Sequence, residues 1–316
     1  MPPPFPREIH ASDPYEISMN GLCCYPLFLS VLVFCGFQDP EVSKSPKPEA
    51  GQSSSRPVSR PKSRPTSRPV GSPARNPARG SPEALAIAKK AKTYSGGDVA
   101  WSKVKNLVFT FRGHRRMLWD RKKGLVRIEP FGKVTRADPE GARKQVMLYD
   151  QRKDKGWIGG KSDKVTTKIA RATWVNDTYW LLFSLKLLDP GTRLRIMAID
   201  EGSMGEKKPD PGILRLHMSF DNVGVTPKNE YVAWIEQKTG KILRWDYYRT
   251  SMEKPLSWYF EGYKKVGPLL LSLKRTRVHD KGVLLLEDVD INVPIPDSIW
   301  KSTELMLGQI GRKPRK

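Results

Sequence analysis

From residue 106 onward, apolar and polar residues alternate in a series of short segments, and turn-forming residues separate one segment from the next. In the first segment Leu107, Phe109 and Phe111 occupy every second position. A period of two is typical of a β-strand with one buried face. Comparable segments lie at 117–119, 126–128, 145–149, 194–199, 213–220, 231–236, 242–248, 258–263, 269–278 and 283–293. About ten sequential strands joined by short turns predict a large antiparallel sheet.

Three other stretches carry helical signals. Ser81 is followed by Pro82, which is the order of an N-cap and a first helical residue, and the glycines from Gly96 end that element. Residues 162–173 repeat apolar positions at helical spacing, and Asp297 is expected to cap a short final helix. The predicted fold class is therefore α+β, with a large, strongly curved antiparallel sheet wrapped over two or three helices.

Three sequence blocks carry a family resemblance. The first runs from Asn176 to Gly191 and reads Asn-Asp-Thr-Tyr-Trp-Leu-Leu-Phe-Ser-Leu-Lys-Leu-Leu-Asp-Pro-Gly. The second runs from Phe220 to Tyr231 and contains Val-Gly-Val-Thr-Pro, and the third contains Thr239-Gly240 ahead of a strand. Over the region from Pro82 to Pro296 the chain resembles exported bacterial lipoproteins with the fold of outer-membrane lipoprotein-sorting proteins.

The resemblance implies an unclosed half-barrel whose concave face holds helices and an apolar cavity. It also implies a non-enzymatic, monomeric protein that binds an acyl chain or another elongated apolar ligand. Aromatic side chains on alternating strands and in the first block are the candidates for lining that cavity, although they also fit an ordinary core. These candidates are Trp180, Trp234, Trp245, Tyr247 and Trp258.

The amino-terminal region carries an export signal. Residues 27–37 form an apolar run that is too short for a membrane span of about 20 residues but suits the core of a signal peptide. Leu32-Val33-Phe34-Cys35 resembles a lipobox, with Phe34 where a small residue is usual and Met19 as an alternative start. We expect residues 1–38 to be a signal and lipidation region that anchors the protein in the cell envelope. An ordinary signal peptide and a cytoplasmic chain are the alternatives.

Residues 39–80 separate this signal from the folded part, which is assigned to 81–316. Four copies of a Ser-Arg-Pro-X unit occupy 55–69, and large apolar side chains are rare around them. Proline fixes φ and removes a backbone donor, so the tract is predicted to be an extended, disordered tether without a core. At roughly 3.1 Å per residue it reaches on the order of 120 Å.

The charge of the chain predicts an anionic partner or surface. The formal net charge is +23, and most of this excess lies beyond residue 80. A nucleic-acid or polyanion binding module is therefore an alternative function, although the sequence holds no nucleic-acid motif and the export signal argues against it. A structural domain that binds no ligand is a further alternative.

The sequence gives little support to catalysis. All three cysteines precede residue 36, and the four histidines are scattered singly, so neither a metal site nor a cofactor is predicted. Asp288 and Asp290 would share one face of a regular strand, where they could act as an acid/base pair. Such a pair more often faces solvent, and the sequence therefore favours a non-enzymatic function.

The lipobox interpretation makes the first testable prediction. Cells that express the chain and are fed a clickable fatty acid should label the wild type, because Cys35 would be acylated after export. The Cys35→Ser variant should remain unlabelled at the same expression level. Equal labelling of the two forms, or of neither, would exclude a lipid anchor at Cys35.

Overall fold

The computed structural model describes residues 76–131, 145–197, 211–250 and 254–310. Cys35 and the Ser-Arg-Pro tract lie outside these residues. The helices of the described part are α1 (Pro82–Tyr94), α2 (Gly97–Ser102) and α3 (Lys164–Lys186). Its strands are β1 (Arg79–Gly80), β2 (Asn106–Phe111), β3 (Arg115–Asp120), β4 (Leu125–Pro130), β5 (Met147–Asp150), β6 (Lys155–Ile158), β7 (Thr192–Ile196), β8 (Ile213–Phe220), β9 (Glu230–Glu236), β10 (Ile242–Tyr248), β11 (Leu256–Val266), β12 (Leu269–Arg277) and β13 (Val283–Ile291).

All of these strands belong to one sheet, in the order β1-β7-β8-β9-β10-β11-β12-β13-β2-β3-β4-β5-β6. Neighbouring strands are antiparallel, except that β1 runs parallel to β7. The pairing of β13 with β2 joins the C-terminal strands to the first hairpin. Because β1 and β6 remain at the two edges, the sheet is not closed. The predicted α+β fold class with an unclosed sheet is confirmed.

The sheet begins earlier in the sequence than expected. Arg79 and Gly80 pair with Arg193 and Leu194 of β7, and the amide of Gly191 donates to the carbonyl of Asn76 at 2.7 Å. The residues from 76 to 80, which the sequence analysis assigned to the tether, therefore contribute the edge strand β1.

Helix α1 starts where the sequence predicts. The hydroxyl of Ser81 accepts a hydrogen bond from the amide of Ala84 at 3.2 Å, and Pro82 is the first helical residue. Its buried face consists of small and branched apolar residues, Ala84, Ile87, Ala88 and Ala91. This face packs under β7 and beside α3, so α1 covers one end of the sheet.

Helix α3 is about twice as long as the helical signal in the sequence. A capping box between Asp163 and Thr166 starts it, and it continues through the aromatic block to Lys186. Residues on several sides of its C-terminal half are buried, so that half lacks the polar stripe by which an amphipathic helix is recognised. The predicted turn that follows is confirmed: the amide of Thr192 donates to the carbonyl of Asp189, and Gly191 has φ of +86°.

The two faces of the sheet are covered differently. The inner face carries alternate residues such as Phe109 and Trp245, and α1 and α3 cover it to form the main hydrophobic core. The hairpin between β9 and β10 packs on α1 through Gly240, where a Cβ atom would lie 2.6 Å from the carbonyl of Lys90. This contact, with φ of +84°, accounts for the glycine of the third sequence block.

The outer face of β2, β3 and β4 is covered by the C-terminal segment, residues 293–310. Arg116 and Arg127 are fully buried beneath it. Arg116 donates to the carbonyls of Leu307 and Ile310, at 2.8 and 2.5 Å. Arg127 donates to the carbonyls of Ile299, Ser302 and Glu304. The two guanidinium groups thus hold the segment mainly through its backbone.

Glu129 completes this attachment. Its carboxylate pairs with Arg127 and accepts the amides of Met306 and Leu307, at 2.9 and 2.7 Å. The predicted capping role of Asp297 is wrong, because its side chain caps no amide and Pro296 stands at the cap position of a 3-10 turn. Asp297 instead pairs with the exposed Lys123 at 2.6 Å.

We expect Glu129→Ala to lower the free energy of unfolding by about 3–5 kcal/mol, because it leaves the buried charge of Arg127 without a counter-charge. Asp297→Ala removes an exposed ion pair and should cost less than about 1 kcal/mol. Urea denaturation of the two variants measures both values. Losses of similar size would show that the C-terminal segment does not depend on the buried pair.

Candidate functional site between helix α3 and the inner face

A buried ion pair fixes α3 against the inner face of the first hairpin. Arg115 of β3 donates from Nε and Nη2 to the two carboxylate oxygens of Asp177, at 3.0 and 2.8 Å. Asp177 is fully buried in the middle of α3, and the Arg115 guanidinium also lies 5.0 Å from the ring of Phe111. A bidentate pair between planar groups sets both the rotation and the position of the helix.

A second arginine contacts α3 where the helix is kinked. Leu182 has φ of −110° and ψ of +17°, outside the helical range. The guanidinium of Arg275, on β12, donates to the carbonyl of Trp180 at 2.7 Å. A side chain that takes over a helix carbonyl is a known cause of such a kink. Arg275 therefore stabilises the bend that lets the end of α3 follow the curved sheet.

Between these two contacts lies a group of rings that we call the aromatic cluster: Trp180, Phe183, Tyr231, Trp245, Tyr247, Trp258 and Phe260. The Trp180 ring centroid lies 4.6 Å from that of Trp245 and 5.3 Å from that of Trp258. The rings of Phe183 and Trp245 are 4.8 Å apart, edge to face. Helix α3 and the three neighbouring strands β9, β10 and β11 contribute to this one cluster.

The structure brings together four of the five residues predicted to line a cavity. Trp245 and Trp258 are buried, whereas Trp180 is only partly buried between them. Tyr247 lies at the margin, where its ring stacks on Tyr231 at 5.1 Å and its hydroxyl accepts from Asn229. Trp245, Tyr247 and Trp258 share the inner face of the sheet, and Trp180 meets them from α3.

Trp234 is the exception, and the prediction that it lines the same cavity is corrected. Ala233, not Trp234, is in register with Trp245, so Trp234 points to the outer face. There its indole donates to the carboxylate of Asp246 at 2.6 Å, and its ring lies 4.6 Å from the guanidinium of Arg244. Burial raises the pKa of Asp246, and Arg244 opposes that shift. Trp234 therefore belongs to a polar network on the opposite side of the sheet.

Several polar atoms along the inner side of α3 are buried without a partner among the described residues. They are the indole nitrogens of Trp119, Trp174 and Trp245 and the hydroxyl of Tyr179. Burial also raises the pKa of the Tyr179 phenol well above its usual value, with smaller contributions from Tyr231 and Asp189. Buried polar groups in proteins are normally hydrogen-bonded, so four orphan donors beside one helix need an explanation.

Two open clefts among the described residues lie away from the aromatic cluster. One, of about 530 Å³, is lined by residues around Gly212, Glu236 and Leu243. The other, of about 440 Å³, lies beside the start of α3 at Asp163 and Arg171. The side chains of the aromatic cluster fill the space between α3 and the sheet with one another.

The carboxylates considered for catalysis, Asp288 and Asp290, lie in an irregular part of β13. A bulge in β13 interrupts the alternation, so Glu287 and Asp290 are the residues in register with β2. Asp288 adopts φ of +47° and lies 3.8 Å from Arg116. Within the described residues no group of three or more His, Cys, Asp or Glu side chains could hold a metal ion.

Sequence reasoning missed several residues of this site. Phe183 and Tyr231 belong to quoted blocks but were not named as lining residues, and Arg115, Asp177 and Arg275 were not singled out. A signal existed for Asp177, because an acidic residue among apolar neighbours in a helix is expected to have a buried partner. No local signal pointed to Arg275, whose contact with α3 spans 95 residues.

Comparison with known proteins gives a likeness of fold. No protein-family model matches the sequence, and no curated protein does. The structure is similar to a LolA superfamily protein from Nitrosomonas europaea (12% identity, TM-score 0.38), covering 69% of this chain and 96% of that one. It is also similar to an outer membrane lipoprotein-sorting protein domain from Vibrio parahaemolyticus, at 12% identity and a TM-score of 0.34, covering 69% of this chain and 97% of that one. A DUF1329 family protein from Desulfovibrio piger is similar at 11% identity and a TM-score of 0.34, covering 69% of this chain and 96% of that one.

The proteins from Nitrosomonas europaea and Vibrio parahaemolyticus carry the name of the group that the sequence blocks resemble. At these identities and TM-scores the likeness carries no argument about ligand or mechanism. No helix among the described residues is long and apolar enough to cross a membrane.

Trp180→Ala should lower the free energy of unfolding by about 3 kcal/mol, because it removes the ring that joins α3 to β10 and β11. Trp157→Ala is the matched control: Trp157 is also partly exposed, but it is not part of the hydrophobic core, and its ring lies 5.4 Å from the ammonium group of Lys155. The Trp157→Ala substitution should lower the free energy of unfolding by only about 1 kcal/mol. Thermal and urea melts compare the two, and equal losses would contradict the proposed docking of α3.

Proposed function

We propose that the protein binds an acyl chain, or another elongated apolar ligand, between α3 and the inner face of the sheet. One observation carries this proposal: among the described residues, four polar atoms of aromatic side chains are buried without partners in the interior beside α3. A purely structural core would satisfy or exclude such groups. Sites for apolar ligands, by contrast, combine an aromatic lining with a few polar atoms that orient the ligand.

Binding would require the aromatic cluster to make room. The partly buried Trp180 lies on α3 at the kink, so a small movement of the C-terminal half of α3 would separate it from Trp245 and Trp258. Burial of an acyl chain supplies about 0.8 kcal/mol for each CH₂ group. Ten such groups give about 8 kcal/mol, which corresponds to micromolar affinity before the cost of separating the rings is subtracted.

The sequence and the names of similar structures support a setting in the cell envelope. The apolar run at 27–37, which contains Cys35, supports export with a lipid anchor, and the Ser-Arg-Pro tract supports a tether between the anchor and the folded part. Structures of the same general fold include a lipoprotein-sorting protein domain. We therefore propose a non-enzymatic protein of the cell envelope that acts as a stationary lipid-binding module.

Binding is tested with N-phenyl-1-naphthylamine, an uncharged apolar probe, and the full chain carrying Cys35→Ser. The probe should bind, and long-chain acyl compounds should displace it with little dependence on salt. Trp245→Glu places a charge in the aromatic cluster and should weaken binding at least tenfold. Trp234→Glu, its control on the outer face beside Arg215 and Arg244, should change binding less than twofold.

Circular dichroism first establishes that both variants keep the native fold. Equal weakening by the two variants would place the site elsewhere than on the inner face. A wild type that ignores the probe and binds duplex DNA with a steep salt dependence would favour the polyanion alternative suggested by the net charge of +23. A wild type that binds neither would identify a structural domain without a ligand.

A further inference from the structure

Arg275 is a buried charge without a counter-charge. Its side chain is fully buried on the inner face, and among the described residues no carboxylate forms an ion pair with it. Every acceptor that it contacts is neutral: the carbonyls of Ser272, Lys274 and Trp180 and the hydroxyl of Ser272. Its Nε has no hydrogen-bond partner in the part of the chain that the structure describes.

Three other buried arginines of the described residues differ from Arg275 in having a carboxylate nearby. Arg115 is neutralised by Asp177, and Arg127 by Glu129. Arg116 lies 3.8 Å from Asp288. A guanidinium that is buried with only neutral acceptors is costly, since removal from water is not repaid by an opposite charge. Burial accordingly lowers the pKa of Arg275 to about 9.

Arg275 also lies where a ligand in the aromatic cluster would end. Its guanidinium stacks on Phe260, 3.6 Å from the ring centroid, and contacts Trp180 through the helix carbonyl. Phe260 and Trp180 both belong to the aromatic cluster defined above. A chain lying among these rings would therefore bring a polar head group within reach of the orphan Nε.

We propose that Arg275 recognises an anionic head group, a carboxylate or a phosphate, at the end of a single apolar chain bound in the aromatic cluster. This inference rests on the proposed function and narrows its ligand class to anionic amphiphiles. A guanidinium fork binds carboxylate and phosphate oxygens better than it binds neutral acceptors. The anion would supply the missing counter-charge, and Nε would gain its hydrogen bond.

The test compares ligands with the same chain and different heads. Laurate, dodecyl phosphate and 1-dodecanol are used to displace N-phenyl-1-naphthylamine from the full chain carrying Cys35→Ser. In the parent protein the two anions should displace the probe at concentrations at least tenfold lower than the alcohol does. In Arg275→Met this advantage should disappear, while displacement by the alcohol changes less than threefold.

Arg277→Met is the matched control. Arg277 lies two residues further along β12 on the same face and is paired with Asp280 at 2.6 Å, so its loss should leave the preference for anions intact. Persistence of the preference in Arg275→Met, or its loss in Arg277→Met alone, would overturn the assignment.

The parent protein alone also tests the inference, even if Arg275→Met fails to fold. Equal displacement by laurate and 1-dodecanol would leave the apolar site standing but refute anion recognition by Arg275. No binding of the probe or of any of these ligands would refute both proposals. A larger rise of the melting temperature with laurate than with 1-dodecanol at equal concentration would support the inference independently.

Discussion

The buried ion pair between Arg115 and Asp177 fixes the position of α3, and the rest of the interior depends on that position. A carboxylate in the middle of a buried helix is tolerated only where a cation meets it, so a rotated or shifted helix would leave both charges unpaired at a cost of several kcal/mol. The rotation that satisfies the pair also places Trp180 against Trp245 and brings its carbonyl to Arg275.

The two faces of the sheet use buried arginines in different ways. On the outer face, Arg116 and Arg127 are saturated by carbonyls of the C-terminal segment and by carboxylates, which makes a permanent attachment. Among the described residues, Arg275 and four aromatic residues between the inner face and α3 retain buried polar atoms without partners. Buried guanidinium groups that carbonyls and carboxylates satisfy suit a permanent attachment, whereas orphan donors beside a cluster of rings suit a ligand.

Much of the fold could be predicted from local pattern, and the errors have identifiable causes. Alternation located most strands, and Asp189-Pro190-Gly191 formed the expected turn. Trp234 was assigned to the wrong face because alternation gives the period of a strand but not its register with the next one. The bulge in β13, where Asp288 has φ of +47°, was likewise not predicted, because no residue type in that segment indicated it.

By itself, the sequence determined the strands, the turns, the start of α1 and the supply of aromatic residues, because these depend on neighbours a few positions apart. The tertiary structure decided which aromatic residues meet, how far α3 extends and which charges are neutralised. Arg275 and Trp180 are 95 residues apart in the sequence, so no local pattern relates them. Their contact exists because pairing of β12 with β11 and the kink of α3 bring them together, and only the folded chain combines those two conditions.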